Sequence, residues 1–277
     1  VISALILTFN EERNLPACLK ALEWCDDIVV LDSFSTDRTI EIAQAAGVRI
    51  VQRHFDTERN QRLFGLHQIG FRNPWVYLPD ADEVTTPELR DEMLAAVADS
   101  TRAEVAYRIR PKTMFMGRWL RHSSLYPTWQ LRLCRPERVR FDREINLRPV
   151  IDGVEGQLEA HYLHYTFNNG LTAWIDKHNR YSLVEARETI NSLDHGHLHW
   201  RDLLPGAETV RRRAALKDLS ARLPFRPLLR FLYMYFVRGG FLDGTPGYTY
   251  CCLVATYEYM IVVKVAEARR RDQGLPI

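Results

Sequence analysis

Four apolar runs of strand length, separated by helical patterns, leave this chain few ways to fold. Val1 to Phe9 is an almost continuous apolar run, followed by Asn10-Glu11-Glu12 and then by helix-spaced Leu15, Cys18, Leu19 and Leu22. Asp27 to Leu31 is the second, and it ends in Asp32-Ser33-Phe34-Ser35-Thr36-Asp37. There Thr36 or Asp37 can cap a helix through Ile40, Ile42 and Ala43 to a stop at Gly47. Val48 to Val51 is the third, a helical segment from Thr57 to about Phe71 follows, and Trp75 to Leu78 is the fourth. Strands alternating with helices at this spacing predict an α/β domain on a mostly parallel sheet, whose ligands sit beyond the carboxyl ends of the strands. At 277 residues and 46% hydrophobic the chain can bury the core such a fold needs.

The fourth run closes on Leu-Pro-Asp-Ala-Asp-Glu, residues 78–83, which puts three carboxylates in one turn. In an extended backbone Asp80 and Asp82 point to one side, close enough to share a hard divalent cation such as Mg2+ or Mn2+. Two carboxylates leave most of an octahedral shell open, and its usual occupants are waters and the phosphate oxygens of a nucleotide. Read alone, the turn serves equally as a polar loop capping the helix that begins near Pro87. No Gly-x-Gly-x-x-Gly follows the first strand and no Walker loop is present, which argues against a dinucleotide domain or a P-loop NTPase. What remains is a nucleotide held by side chains and a metal.

The net charge of +2 conceals a gradient: residues 1–100 carry 9 basic and 17 acidic side chains, 101–200 carry 15 and 11, and 201–277 carry 13 and 7. An acidic front suits a metal-nucleotide site and a basic rear suits an anionic surface such as phospholipid. No zinc-finger, basic-zipper or RNA-recognition signature supports nucleic acid as the partner. Five cysteines without Cys-x-x-Cys pairs suggest a reducing, cytoplasmic setting, and no signal peptide precedes the first strand in the residues given.

Three stretches in order carry a family resemblance: Leu7-Thr8-Phe9-Asn10-Glu11-Glu12, Val30-Leu31-Asp32-Ser33-Phe34-Ser35-Thr36-Asp37-Arg38-Thr39, and Asp80-Ala81-Asp82-Glu83. Together they resemble the signatures of glycosyltransferase family 2. Within it, Gly117-Arg118-Trp119, the segment Tyr126 to Leu133, Leu163-His164-Tyr165 and Gly240 to Gly244 are similar to the bacterial lipopolysaccharide-core β-glucosyltransferase group. The resemblance implies a GT-A fold, Rossmann-like with flanking helices. It also implies metal-dependent, inverting transfer of a hexose from a nucleotide sugar, UDP-linked by expectation, to a lipid-linked or lipopolysaccharide-type glycan. It places Thr8, Asn10, Glu12 and Asp32 around uracil and ribose, Asp80 and Ala81 near ribose and metal, Asp82 as principal metal ligand and Arg62 beside the diphosphate. Arg132 is expected near the donor phosphates or the acceptor, or in a structural ion pair. His164 is expected either to complete the metal shell or to be a core histidine.

Inversion by single displacement needs a base for the acceptor hydroxyl. Similar proteins carry a His-Glu pair a few residues before an Asp-Gly, and aligning on Asp152-Gly153 puts Asn146 and Leu147 there instead. Glu144 is the replacement favoured here, with Asp142, Asp152 and Glu83 as rivals. The missing pair also keeps open a polyprenyl-phosphate acceptor, an anion that needs no base. A nucleotide-sugar-binding protein without turnover is the rival from another class. The triplet His195, His197 and His199 reads as a polar loop.

The expected division is a nucleotide-sugar-binding and catalytic domain over 1–166 and a helical C-terminal region over 167–277. In the latter, Trp174 to Glu188 is amphipathic, Pro227 to Val237 is apolar between arginines, and a last helix starts at Thr245-Pro246 and ends in Arg269-Arg270-Arg271. Pro227–Val237 is too short to span a membrane and Glu258 interrupts the last helix. Arginine-rimmed apolar faces predict peripheral contact with the inner face of the cytoplasmic membrane. The same faces also suit packing on the sheet or against a second copy of the chain.

Overall fold

In chain order the sheet-bearing part consists of β1 (Ile2–Thr8), α1 (Leu15–Lys20), β2 (Asp27–Asp32), α2 (Thr39–Ala45), β3 (Arg49–Gln52), α3 (Glu58–Gln68), β4 (Trp75–Tyr77), β5 (Glu83–Thr85) and α4 (Pro87–Ala98). β6 (Glu104–Phe115), β7 (Arg118–Trp119), β8 (Gln130–Cys134), β9 (Val139–Asp142), β10 (Arg148–Ile151) and β11 (Val154–His164) follow. The computed structural model describes residues 2–142, 147–195 and 225–277, and singly 212, 215, 219 and 223. It divides into two units, one formed by residues 1–119 with 125–169 and the other by 120–124 with 170–277.

In the first unit the main sheet runs β3-β2-β1-β4-β8-β6-β11-β5. β3, β2, β1 and β4 are parallel, as the alternating pattern predicts. Beyond β4 the sheet is mixed: β8 is antiparallel to β4 and β6, β11 is parallel to β6, and β5 is antiparallel to β11. Antiparallel neighbours need no crossover helix, and no helix lies between β6 and β8. β1 reads as a continuous apolar run because both its faces are covered. Ile2, Ala4 and Ile6 pack with Leu15, Leu22 and Met93, whereas Leu5 packs with Val29, Leu31 and Leu66. Gly65 lets α3 approach β1, since a methyl there would stand 2.7 Å from the Leu5 side chain. Thr57 caps α3 by accepting from the Asn60 N–H, and Thr86 caps α4 by accepting from Leu89.

At the start of β2, Asp27 is 2% exposed. Its carboxylate accepts from the Ser3 hydroxyl at 2.6 Å and the Arg72 N–H at 2.8 Å, and it is ion-paired with Arg49 at 2.9 Å. Burial pushes its pKa up, but the Arg72 N–H, the Ser3 hydroxyl and Arg49 outweigh that and hold it below the ordinary value. A depressed folded pKa contributes stability above the unfolded value of about 4 that is lost as pH falls through the lower folded value. Asp27→Asn is therefore expected to lower stability by about 1.5–3 kcal/mol at pH 7 and by less at pH 3, read from urea melts at the two pH values.

The second unit contains α5 (Gly170–His195), α6 (Arg226–Leu232) running into a π-helical turn (Tyr233–Val237), a 3-10 turn (Gly240–Asp243) and α7 (Gly244–Asp272). The Lys264 ammonium on α7 donates to the Asn179 carbonyl, the Asn179 side chain at 2.6 Å and the Ser182 hydroxyl at 2.7 Å, pinning α7 to α5. Glu258, which breaks the apolar run of α7, is paired with Arg226 at 2.7 Å. Among the described residues no helix is long and apolar enough to cross a membrane.

The Gly240–Gly244 stretch forms a knot. Asp243, 3% exposed, accepts from the His122 N–H at 2.9 Å and from the Ser123 N–H and hydroxyl at 2.7 Å each. A methyl on Gly247 would stand 2.3 Å from the Gly240 carbonyl oxygen. Asp243→Ala orphans three donors, two of them buried, and is expected to cost about 2–4 kcal/mol, measured by thermal and urea melts of the whole chain.

Candidate active site

The polar turns that follow β1, β2 and β4 meet at the carboxyl rim of the sheet. Thr8 ends β1 and Asp32 ends β2, paired in register, and the Thr8 hydroxyl donates to Asp32 Oδ1 at 2.9 Å. Asp32, fully buried, also accepts from the Ser35 N–H at 2.9 Å, the Ser35 hydroxyl at 2.5 Å and the Gln52 amide at 3.2 Å. Both of its oxygens are therefore spent inside the protein. Through these bonds Asp32 and Thr8 brace the loops that follow β1 and β2.

The two loops are laced to each other. Asn10, in the left-handed region at φ 57°, donates its N–H to the Ser35 hydroxyl at 2.8 Å and accepts the Thr36 N–H at 2.8 Å. The Glu12 carboxylate accepts the Arg38 N–H at 3.1 Å. What these loops turn outward is aromatic: Phe9 is 58% exposed, and Phe34, also left-handed at φ 61°, stacks on His54 with ring centroids 4.0 Å apart. A bulky residue at positive φ is strained backbone of the kind found at ligand clamps.

The acidic turn is not extended. Residues 80–83 close through the Glu83 N–H to the Asp80 carbonyl at 3.0 Å, so Asp80 and Asp82 take different partners and do not share one side of a strand. Asp80 accepts from Arg62 at 3.2 Å on one oxygen and from Arg132 at 2.6 Å on the other. Burial alone would raise its pKa, but the two guanidiniums hold its carboxyl well below the usual range. Ala81 is 4% exposed and its methyl packs in the hydrophobic core. Asp82 faces His164 at the end of β11, with His164 Nε2 3.3 Å from its carboxylate and the two side chains 25% and 24% exposed. The His164 pKa is raised: burial opposes charge on the ring, and the Asp82 hydrogen bond with the surrounding acids overcomes it.

Arg132, from β8, is 4% exposed and lies between Asp80 and the buried Glu83, with its guanidinium against the Tyr162 ring. It is held in a buried ion pair with both acids. Glu83 is pushed up to about 7 by burial, against the pull of Arg132. It also accepts the Asp80 N–H at 3.1 Å. Arg62, with a side chain 16% exposed, is anchored by Glu58 and Asp80. Asp142 is exposed, and Asp152 is exposed and paired with Arg138. Glu144, Asn146, His197 and His199 lie outside the described residues.

The function of Glu83 as the inner carboxylate of this cluster was missed, although a signal existed: in Glu83-Val84-Thr85 the buried positions are the first and third, so strand alternation turns Glu83 inward. Gln52, which fixes Asp32, carried no signal. Among the described residues no three His, Cys, Asp or Glu side chains gather as a metal site. Asp82 and His164 do make an adjacent, solvent-reaching oxygen and nitrogen donor pair, which fits a hard divalent cation whose remaining ligands come from phosphate and water. A cavity of about 630 Å³ lined by Leu19, Cys25, Ile28, Ile42 and Arg49 opens at the other end of the strands and takes no part in this site.

The sheet, parallel from β3 to β4 and mixed beyond, with flanking helices and braced carboxylates at its strand ends, has the GT-A architecture. The chain belongs to glycosyl transferase family 2, whose sequence profile matches residues 3–153, and it is a glycosyltransferase. It is 26% identical over 271 residues to the lipopolysaccharide core biosynthesis glycosyltransferase LpsC of Rhizobium meliloti (strain 1021), covering 95% of this chain and 91% of that protein. An uncharacterized glycosyltransferase of Rickettsia typhi, RT0209, is 23% identical over 287 residues, covering 99% and 89%. Among solved structures, S. aureus TarS 1–349 in complex with UDP-GlcNAc is similar over 99% of this chain and 92% of that one, with 14% identity and a TM-score of 0.46.

Proposed function

We propose that this glycosyltransferase moves a hexose, with inversion, from a UDP-sugar to a lipid-linked or lipopolysaccharide-type glycan at the inner face of the cytoplasmic membrane. The observation that carries the donor half is the Asp82–His164 pair, open to solvent beside an Asp80 locked by two arginines. Asp82 and His164 would hold Mn2+ or Mg2+, the imidazole favouring manganese. The cation, when bound, neutralises charge gathering on the departing diphosphate. Arg62 adds a positive charge on the same side, and Arg132 holds Asp80 in place from beneath. Phe9 and Phe34 offer ring faces to the nucleobase, with Thr8, Asn10, Glu12 and Asp32 keeping their loops rigid. The acceptor half draws on the near full-length similarity to a lipopolysaccharide core glycosyltransferase.

The test is release of UDP from UDP-hexoses by the purified chain with Mn2+ or Mg2+, and transfer of labelled sugar to truncated lipopolysaccharide. Cation-dependent UDP release with labelled lipopolysaccharide is expected. No release from any UDP- or GDP-hexose with either cation overturns the reading.

A further inference from the structure

The second unit carries a helical face that a water-soluble surface does not explain. Along α6 and its π-helical turn, Leu228, Leu229, Leu232, Tyr233, Phe236 and Val237 are 55%, 43%, 39%, 48%, 58% and 75% exposed. They recur as pairs every four residues, which keeps them on one face, and the wider π turn holds the last pair in line. The opposite face is apolar too: Met234 is 2% exposed, and Phe231 stacks on Tyr235 at 5.3 Å and meets Tyr248 at 6.0 Å. An exposed apolar helix face of this extent, bordered by arginines, marks an interaction surface. Phe225 before it is 77% exposed, and Phe241 and Leu242 after it are 49% and 53% exposed.

Beside this face lies a cavity of about 190 Å³ lined by Leu223, Arg226, Leu229, Arg230, Tyr233 and Glu258. Arg226 is neutralised there by Glu258. Arg230 is not: it has no acidic partner among the described residues, and its buried Nε makes no hydrogen bond. An arginine without an acidic partner among the described residues, at the edge of an apolar, aromatic face, matches the boundary between acyl chains and headgroup phosphates. A second copy of the chain would bring the same cation up to itself across a twofold contact, whereas an anionic bilayer satisfies both features.

We propose that the 225–242 segment is the membrane-docking element of this enzyme: its apolar face enters the interface of an anionic bilayer, and Arg230 takes a lipid headgroup phosphate. This rests on the reading that the acceptor is lipid-linked, and it can fail independently of that reading.

The experiment is co-sedimentation of the full chain with phosphatidylethanolamine vesicles with and without phosphatidylglycerol, alongside UDP release in the absence of vesicles. The wild type is expected to pellet with the anionic vesicles and to be released by salt. The double variant F236S/V237S is expected to lose at least about tenfold in vesicle affinity. R230Q is expected to lose about three- to tenfold, mainly on anionic vesicles. Both variants should keep wild-type UDP release and melting temperature. Wild-type chain that stays in the supernatant with anionic vesicles overturns the proposal. So does an F236S/V237S variant that binds vesicles like the wild type, or one that converts a dimer to a monomer in analytical ultracentrifugation without changing vesicle binding. Absent UDP release with intact vesicle binding would instead defeat the donor-site reading and leave the docking element standing.

Discussion

Asp82→Asn is expected to lower sugar transfer by about 10²–10³-fold while leaving the melting temperature close to wild type. The loss follows from removing the one carboxylate of the acidic turn that is not committed to an arginine. The Asp82 carboxylate meets the His164 ring and keeps 24% of its side chain in solvent. An amide of the same shape preserves the turn but gives up the negative charge that a divalent cation needs, and stabilising a departing diphosphate is worth several kcal/mol in such sites. His164→Ala should fall in the same assay by a smaller factor, about 10–100-fold, with the deficit partly recovered at high Mn2+. Initial rates against cation concentration, with melts as the folding control, check both. Equal activity of Asp82→Asn and wild type would remove the metal-binding assignment.

Arg132→Leu is expected to damage the fold as well as the activity, by about 3–5 kcal/mol, because it strips the cation from two carboxylates at once. Asp80 and Glu83 both contact the buried Arg132 guanidinium. Without it Glu83, already pushed up to about 7, would take a proton, and Asp80 would keep Arg62 alone. Arg132→Lys keeps the charge but cannot reach both acids with a planar fork, and should fall between the two. Adding Glu83→Gln to Arg132→Leu should restore part of the stability and none of the activity. Urea melts of the four proteins read this out. An Arg132→Leu chain as stable as wild type would show that the cluster is not the buried brace described here.

Much of the fold was legible because strand and helix periods are long-range patterns. The four apolar runs became β1 to β4 in parallel, with α3 and α4 starting beside Thr57 and Pro87. The mixed half of the sheet was not legible, since β6, β8 and β11 pair across long separations that local pattern does not encode. The candidate site was legible by position and less so by role. Sequence order brought Asp80, Asp82, Arg62, Arg132 and His164 onto the list, but how deeply each is buried was not written there. Arg132 and Asp32 turned inward, where they contact side chains from remote segments such as Glu83 and Gln52. In the second unit, the Gly240–Gly244 stretch explains itself only once Asp243 is seen to hold the 122–123 backbone.

The most direct test of the account is calorimetric titration of UDP into the metal-free chain, the chain with Mn2+, and Asp82→Asn with Mn2+. The account expects UDP affinity to rise at least about tenfold with Mn2+ in the wild type and to stay at the metal-free level in Asp82→Asn. UDP bound equally well with and without the cation, or a Mn2+-dependent gain undiminished in Asp82→Asn, would contradict it.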